Sequence, residues 1–214
     1  MADRYNEVIQ KHLVADGVSS GILQSHERYA YASALFIYQE DNGYRQIPYQ
    51  IKYHGNISAG RHFGRMLGLR LSDSEHFQDV DMIIPVPLHR LRKWKRGYNQ
   101  AEIIAEEVAA ALGAPLRTDI LVRRRMTRTQ TQLSIEEKSA NVAGAFEVSD
   151  GAKSLYGVGS YDNSSLPTWP KHILLIDDVF TTGSTLYACF AALRTAFPPS
   201  VRISVATLGF VGAS

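Results

Sequence analysis

A single cysteine, Cys189, stands in a chain of 214 residues. That excludes an internal disulfide and any zinc site built from three or four cysteines, and a lone thiol suits a reducing compartment. Long apolar runs are missing too. None approaches the roughly 20 residues needed to cross a bilayer. The opening MADRYNEVIQK is polar from its start, so the expectation is a cytoplasmic protein with neither signal peptide nor membrane anchor. Net charge is almost absent, since 23 Lys and Arg against 21 Asp and Glu leave +2. No internal repeat is visible. With 45% apolar and 21% charged residues, the composition is that of a globular protein, not of a disordered tail or a fibre. A chain of this length buries roughly 70% of the surface its unfolded form exposes, enough for a core without cross-links.

The small net charge hides an uneven distribution. Between Leu88 and Arg128 there are ten Lys and Arg against four Asp and Glu, a balance of +6, and the remainder has thirteen against seventeen, a balance of −4. A basic centre in an acidic chain points to an anionic partner, either a nucleic acid or a phosphorylated small molecule.

Along the chain, residues 2–28 read as a polar helix and a loop. The runs YAYASALFIY (29–38) and YRQIPYQIKY (44–53) flank Asp41-Asn42-Gly43, a β-hairpin signal, with Pro48 marking an edge or bulge. A helix is predicted from Ser58 through Leu69. Residues 1–70 are expected to form an N-terminal helix and hairpin element, followed by an α/β core over 71–214, the two making one compact domain. In the core, Met82–Val86 is a short strand ending in Pro85-Val86-Pro87. Asn99 caps a helix whose Glu102 is placed to return a hydrogen bond to the cap, and Gly113 stops it. Ile120–Val122 and Ala145–Val148 are extended, and Ser134–Glu137 opens a short helix. Residues 149–170 read as a long surface loop. A strand over 172–176, a helix over 184–197 and a strand over 201–208 complete a pattern that argues for a mainly parallel sheet flanked by helices.

The sharpest feature is HILLIDDVFTTGSTL, residues 172–186. An apolar strand is expected to stop at Asp177-Asp178, and a Thr-Thr-Gly-Ser-Thr turn leads into an amphipathic helix. Ligands of open α/β sheets bind outside the carboxyl ends of strands, where this turn must lie. Thr181, Thr182, Gly183, Ser184 and Thr185 offer hydroxyls, backbone N–H groups and a helix dipole to one phosphate, and Gly183 removes a Cβ that would obstruct it. Two carboxylates would repel that phosphate. They suit the vicinal hydroxyls of a sugar, or Mg²⁺ through water. Together these groups describe a site for ribose 5-phosphate.

The run DDVFTTGST is similar to the phosphoribosyl pyrophosphate (PRPP) motif of type I phosphoribosyltransferases. The wider pattern resembles the ComF family, associated with bacterial competence and DNA uptake, through IKYHG (51–55), IIPVPLHR (83–90), RGYNQAE (96–102), RRRMTRTQTQLS (123–134) and NVAGAF (141–146). The resemblance spans roughly residues 30–210. It implies a type I phosphoribosyltransferase fold, a PRPP site with Mg²⁺ held mainly through the ligand and through Asp177 and Asp178 by water, and transfer of the phosphoribosyl group with release of pyrophosphate. It further implies that Pro87, Leu88, His89 and Asn99 belong to a pyrophosphate loop. Arg96, Arg124 and Arg128, with Arg125 and Gln130, would face the diphosphate from it and from a loop closing over PRPP. Lys138 stands where many relatives have Arg. Lys52 and His54 fall in the hood that receives the acceptor, and a homodimer is common in the fold.

The same arginines serve a second reading, a non-catalytic nucleotide- or single-stranded-DNA-binding module acting with a competence helicase. Phosphate contacts alone carry no base readout. ComF-like proteins often carry an N-terminal four-cysteine zinc ribbon, which these residues cannot build, so no zinc is expected and the balance tilts toward the phosphoribosyl site. No general base is evident, the acceptor has no signature, and Cys189 reads as a small core residue.

Overall fold

The computed structural model describes residues 30–38, 49–51, 55–125, 144–156 and 169–211. Four strands form a parallel sheet: β1 (Ala32–Tyr38), β2 (Met82–Pro85), β5 (His172–Phe180) and β6 (Arg202–Val211), in the spatial order β1-β6-β5-β2. Two short strands, β3 (Leu121–Arg123) and β4 (Phe146–Val148), make a separate antiparallel ribbon with Arg123 opposite Phe146. The helices are α1 (Ile57–Ser72), α2 (Arg90–Arg96), α3 (Gln100–Leu112), α4 (Asp150–Leu155) and α5 (Ser184–Arg194).

The inner strands are apolar on both faces, as a sheet covered on both sides requires. One face carries Leu35, Ile83, Leu174, Ile176, Ala206 and Leu208 against Leu67 and Leu71 of α1 and Ile104 and Val108 of α3. The opposite face carries Ala34, Ile84, Ile173, Leu175 and Val205 against Leu186, Cys189 and Leu193 of α5 and the β3–β4 ribbon. Helices α1 and α3 approach closely because α1 has no side chain at Gly60, Gly64 and Gly68. A Cβ at Gly64 would lie 3.1 Å from the Ile104 backbone, and one at Gly68 2.7 Å from the Ala111 Cβ.

The mixed α/β architecture with a mainly parallel sheet is the one the alternating pattern predicts. The expected hairpin is different in its described parts. Strand β1 pairs in parallel with β6, and Tyr49–Ile51, within the second predicted arm, is helical. The reason is burial on both sides. Ala32 and Ala34 enter one core and Leu35 the other, so β1 behaves as a sheet strand and not as a one-faced hairpin arm. Residues 39–48 lie outside the described residues, as do the N-terminal helix and the Ser134–Glu137 helix. The expected loop at 149–170 opens as a helix: Ser149 accepts from the Ala152 N–H and caps α4, and Trp169 packs on Tyr156 and Phe197.

At the N-terminal end of the sheet, His172 is fully buried. Its Nδ1 is 2.7 Å from Asp79 and its Nε2 2.7 Å from the Ser204 hydroxyl, which also accepts from the Tyr31 N–H. Asp79 is paired with Arg202, and Asp81 accepts from the N–H groups of Lys171 and His172. Every polar atom of the imidazole is used when the ring is neutral, with Nδ1–H donating to Asp79 and Ser204 donating to Nε2. Burial pushes its pKa down to about 4. The Ser-His-Asp spacing mimics a hydrolytic triad, but the Ser204 hydroxyl is closed off from solvent.

Candidate functional site

Strand β5 outruns its neighbour. Its last partner in β2 is Pro85, opposite Ile176, after which the Val86 N–H donates to the Ile176 carbonyl. The ladder ends there because the Asn99 side-chain amide takes the Val86 carbonyl at 3.0 Å and turns the chain away. Among the described residues, β5 beyond that point has only β6 beside it, so Asp177 and Asp178 lie past the carboxyl end of β2, on the side where ligands of open α/β sheets bind.

Both carboxylates lie within the strand, which continues to Phe180 instead of ending at Ile176 as expected. The pairing with β6, Val179 opposite Gly209 and Phe180 opposite Phe210, holds those extra residues extended. Consecutive strand residues face opposite ways, so Asp177 shares the α5 side with Leu175 and Asp178 the α1–α3 side with Ile176. They are 8% and 3% exposed. Buried carboxylates need compensation. Asp177 accepts from the Asp178 N–H and Asp178 from the Val179 N–H, each at 2.9 Å.

Further compensation comes from Arg123, which the sequence reading did not single out. Its guanidinium lies over the Phe146 ring, 5.0 Å from the centroid. Burial, then the charge of Arg92, holds its pKa below the usual arginine value, while Asp177 pulls the other way. Burial and the Asp177 charge push the Cys189 thiol well up, so the single cysteine is a buried neutral thiol, as expected of a core residue. Asp177, Arg123, Arg92 and Cys189 are thus electrostatic neighbours. The signal for Arg123 was the period of β3: it shares a face with buried Leu121.

The turn after β5 has the form its residues require. Gly183 has φ +73°, and a Cβ there would lie 2.6 Å from the Phe180 ring, which packs on Phe210. Only glycine fits on both counts. The Thr182 and Ser184 hydroxyls lie 2.9 Å apart, Ser184 is buried, and Thr181 and Thr185 flank them. Helix α5 starts at Ser184 without a side-chain cap from Gly183, so its positive end opens on the turn.

The β2–α3 connection contains a helix the sequence reading missed. Pro87 and Leu88 are half-buried, and His89 caps α2 by accepting from the Leu91 N–H at 3.3 Å. Gly97, at φ +86°, ends α2. Arg96 donates to Gln100, and the Tyr98 hydroxyl donates to the Ile51 carbonyl, tying this connection to the segment preceding Lys52 and His54. Asn99 caps α3 by accepting from the Ala101 N–H at 3.2 Å, so both ends of its amide are engaged within the protein. Glu102 does not return to the cap; its carboxylate is taken by Lys93 at 2.8 Å.

The structure brings Asp177, Asp178 and the Thr181–Thr185 turn together at the end of β5. It places Arg124 on the outer side of the ribbon, 3.4 Å from both Glu147 and Asp150. Arg128 and Gln130, like Lys52 and His54, lie outside the described residues.

No family model matches the chain. Curated proteins do. It is 30% identical over 148 residues to Competence protein F of Haemophilus influenzae, covering 68% of this chain and 59% of that protein. It is 33% identical over 143 residues to DNA utilization protein YhgH of Salmonella typhimurium, covering 65% and 56%. Against YhgH of Escherichia coli K12 the identity is 28% over 141 residues, covering 64% and 55%. The matched stretch spans somewhat more than half the length of these relatives. Among solved structures, adenine phosphoribosyl transferase from Trypanosoma brucei in complex with AMP, pyrophosphate and ribose-5-phosphate aligns with 14% identity over 73% of this chain and 66% of that one. Its TM-score is 0.34, too low for any residue assignment to rest on it. The sequence matches agree with the family resemblance carried by the motifs, and the chain is a homologue of Competence protein F and of the YhgH DNA utilization proteins.

Proposed function

We propose that this chain binds PRPP together with Mg²⁺ and transfers the 5-phosphoribosyl group to an acceptor, releasing pyrophosphate. The observation that carries this reading is the end of β5: two buried carboxylates followed two residues on by a hydroxyl-rich turn that only glycine can make, opening the helix α5. The turn would take the 5-phosphate through its N–H groups, the Thr182 and Ser184 hydroxyls and the helix dipole. The carboxylates would take the ribose hydroxyls, which are donors matched to acceptor-only groups. Its homologues carry competence and DNA utilization in their names, and we infer the same biological setting here.

Among the described residues there is no group of three or more His, Cys, Asp or Glu able to hold a metal alone. Asp177 and Asp178 offer oxygen donors of the kind Mg²⁺ takes, since that ion keeps several waters and binds through one or two carboxylates plus substrate phosphates. When bound, it supplies Lewis-acid charge to the departing diphosphate. The chain's own residues do the remainder. The turn and carboxylates fix the sugar. The bond between C1 and the diphosphate oxygen then breaks with its electron pair on the leaving group. A lone pair on the acceptor forms the new bond to C1 and the acceptor's proton leaves to solvent. Arg123 and Arg92, electrostatic neighbours of Asp177, would supply positive charge for the diphosphate, joined by Arg96 if the connection after β2 acts as the family resemblance implies.

The test is a screen of candidate acceptors for pyrophosphate release from PRPP. Release that needs both Mg²⁺ and an acceptor and is abolished by Asp177→Asn is the expected result. PRPP binding without release for any acceptor class, free bases, nucleosides and amines included, would overturn transfer.

A further inference from the structure

Strand β3 ends on a cation that the core holds in place. Arg123 lies opposite Phe146 in the β3–β4 ribbon, with its guanidinium 5.0 Å from the centroid of the Phe146 ring. Phe146, Leu121 and Cys189 belong to one core, through which the ribbon packs on α5, the helix that the Thr181–Thr185 turn opens. Asp177 is on that side of β5, and the charges of Arg123 and Asp177 act on each other and on the Cys189 thiol. Asp178 is on the other side, and Arg124, next along β3, turns to Glu147 and Asp150. An arginine is seldom set against a core unless something there needs its charge.

In the proposed site Asp177 meets two conflicting requirements. It must stay an acceptor for the ribose hydroxyls, and it must not repel the phosphate bound by the turn that follows it. We propose that Arg123 is a positioning residue for Asp177: from the ribbon it fixes the carboxylate as an acceptor for the sugar and offsets its charge toward a phosphorylated ligand. The proposal rests on the phosphoribosyl reading and goes beyond it, since Arg123 acts on the sugar through Asp177, separately from any charge it lends the diphosphate. The Phe146 ring is part of the arrangement. Its negative π-face holds the guanidinium without adding a second carboxylate, which would compete with Asp177 for the cation.

The test joins a double-mutant cycle on Arg123 and Asp177 to a ligand titration. The cycle is read by urea unfolding of the ligand-free chain. Arg123→Met should lower the midpoint, and Asp177→Asn should cost less in the Arg123→Met background than in wild type, because the carboxylate there has already lost its cation. The titration uses ribose 5-phosphate, which has no diphosphate. Arg123→Met should weaken its binding about tenfold or more, Arg123→Lys should recover part of the affinity by restoring the charge, and Arg123→Gln should recover none. If Arg123→Met does not fold, Arg123→Gln takes its place in both measurements. Additive effects in the urea cycle overturn the proposal. So does ribose 5-phosphate affinity that Arg123→Met and Arg123→Gln leave unchanged while PRPP binding weakens, since Arg123 would then serve the diphosphate alone. Equal losses in Arg123→Lys and Arg123→Gln overturn it as well, by showing that shape and not charge matters. Each of these results leaves the phosphoribosyl reading standing. If wild type binds neither ribose 5-phosphate nor PRPP, that reading fails and this proposal falls with it.

Discussion

Lowering the pH from 7 to 5 should cost this protein about 2 kcal/mol through His172 alone. The ring is neutral in the folded protein because burial holds its pKa at about 4, against an ordinary value of 6.5. The unfolded chain binds a proton at pH 6.5 and the folded chain only near pH 4, so unfolding takes up a proton throughout that window. Stability is therefore full above pH 6.5 and falls as pH drops, by about 1.4 kcal/mol per unit and about 3 kcal/mol in total by pH 4. Protonation would place a hydrogen on Nε2, which now accepts from Ser204, and reversing that bond would take from the buried Ser204 O–H the acceptor it has in the neutral ring. The Asp81 charge favours the charged ring, but burial outweighs it: Asp81 is engaged by the N–H groups of Lys171 and His172, and Asp79, 2.7 Å from Nδ1, is partly exposed and paired with Arg202. The assay is urea unfolding of wild type and His172→Asn at both pH values, since every other titration cancels in the difference. The asparagine amide keeps the bond to Asp79 but does not titrate. The advantage of wild type over the variant should shrink by about 2 kcal/mol between pH 7 and pH 5. Equal pH dependence in the two proteins would refute the reasoning.

Other consequences follow from named contacts. Gly183→Ala drives a Cβ into the Phe180 ring from a left-handed backbone, so it should lower stability by about 1–3 kcal/mol and weaken PRPP binding more than tenfold in calorimetry. Gly64→Val should lower the urea midpoint by an amount worth about 1–3 kcal/mol, because the Ile104 backbone leaves no room. Gly151→Ala, with open space around it in α4, should raise stability by about 0.5–1 kcal/mol. Arg123→Met should weaken PRPP binding and Arg124→Ala should change stability by less than about 0.5 kcal/mol, since the ion pairs of Arg124 with Glu147 and Asp150 are exposed.

The parallel sheet and the turn at its edge were legible because both depend on local pattern. Apolar runs such as Ile173–Ile176 have one outcome between covering helices, and Thr-Thr-Gly-Ser-Thr after a strand has few backbone solutions. What escaped was set by distant neighbours. Asp177 and Asp178 are inside β5 only because β6 extends beside them as far as Val211. Strand β1 left its expected hairpin because β6 offered it a partner with both faces covered. No element was legible in the basic run 90–96, yet His89 and Gly97 cap it as a helix. The family resemblance points to Arg124 and not to Arg123, whereas the two faces of β3 send Arg123 toward Asp177 and Arg124 toward Glu147 and Asp150.

The central claim, that the end of β5 is a phosphoribosyl site, is tested most directly by calorimetric titration of the chain with PRPP in the presence and absence of Mg²⁺. The account predicts saturable binding of one PRPP per chain that depends on Mg²⁺ and weakens at least about tenfold in both Asp177→Asn and Thr182→Ala. Absence of binding with Mg²⁺ present, or binding that both variants leave unchanged, would contradict it.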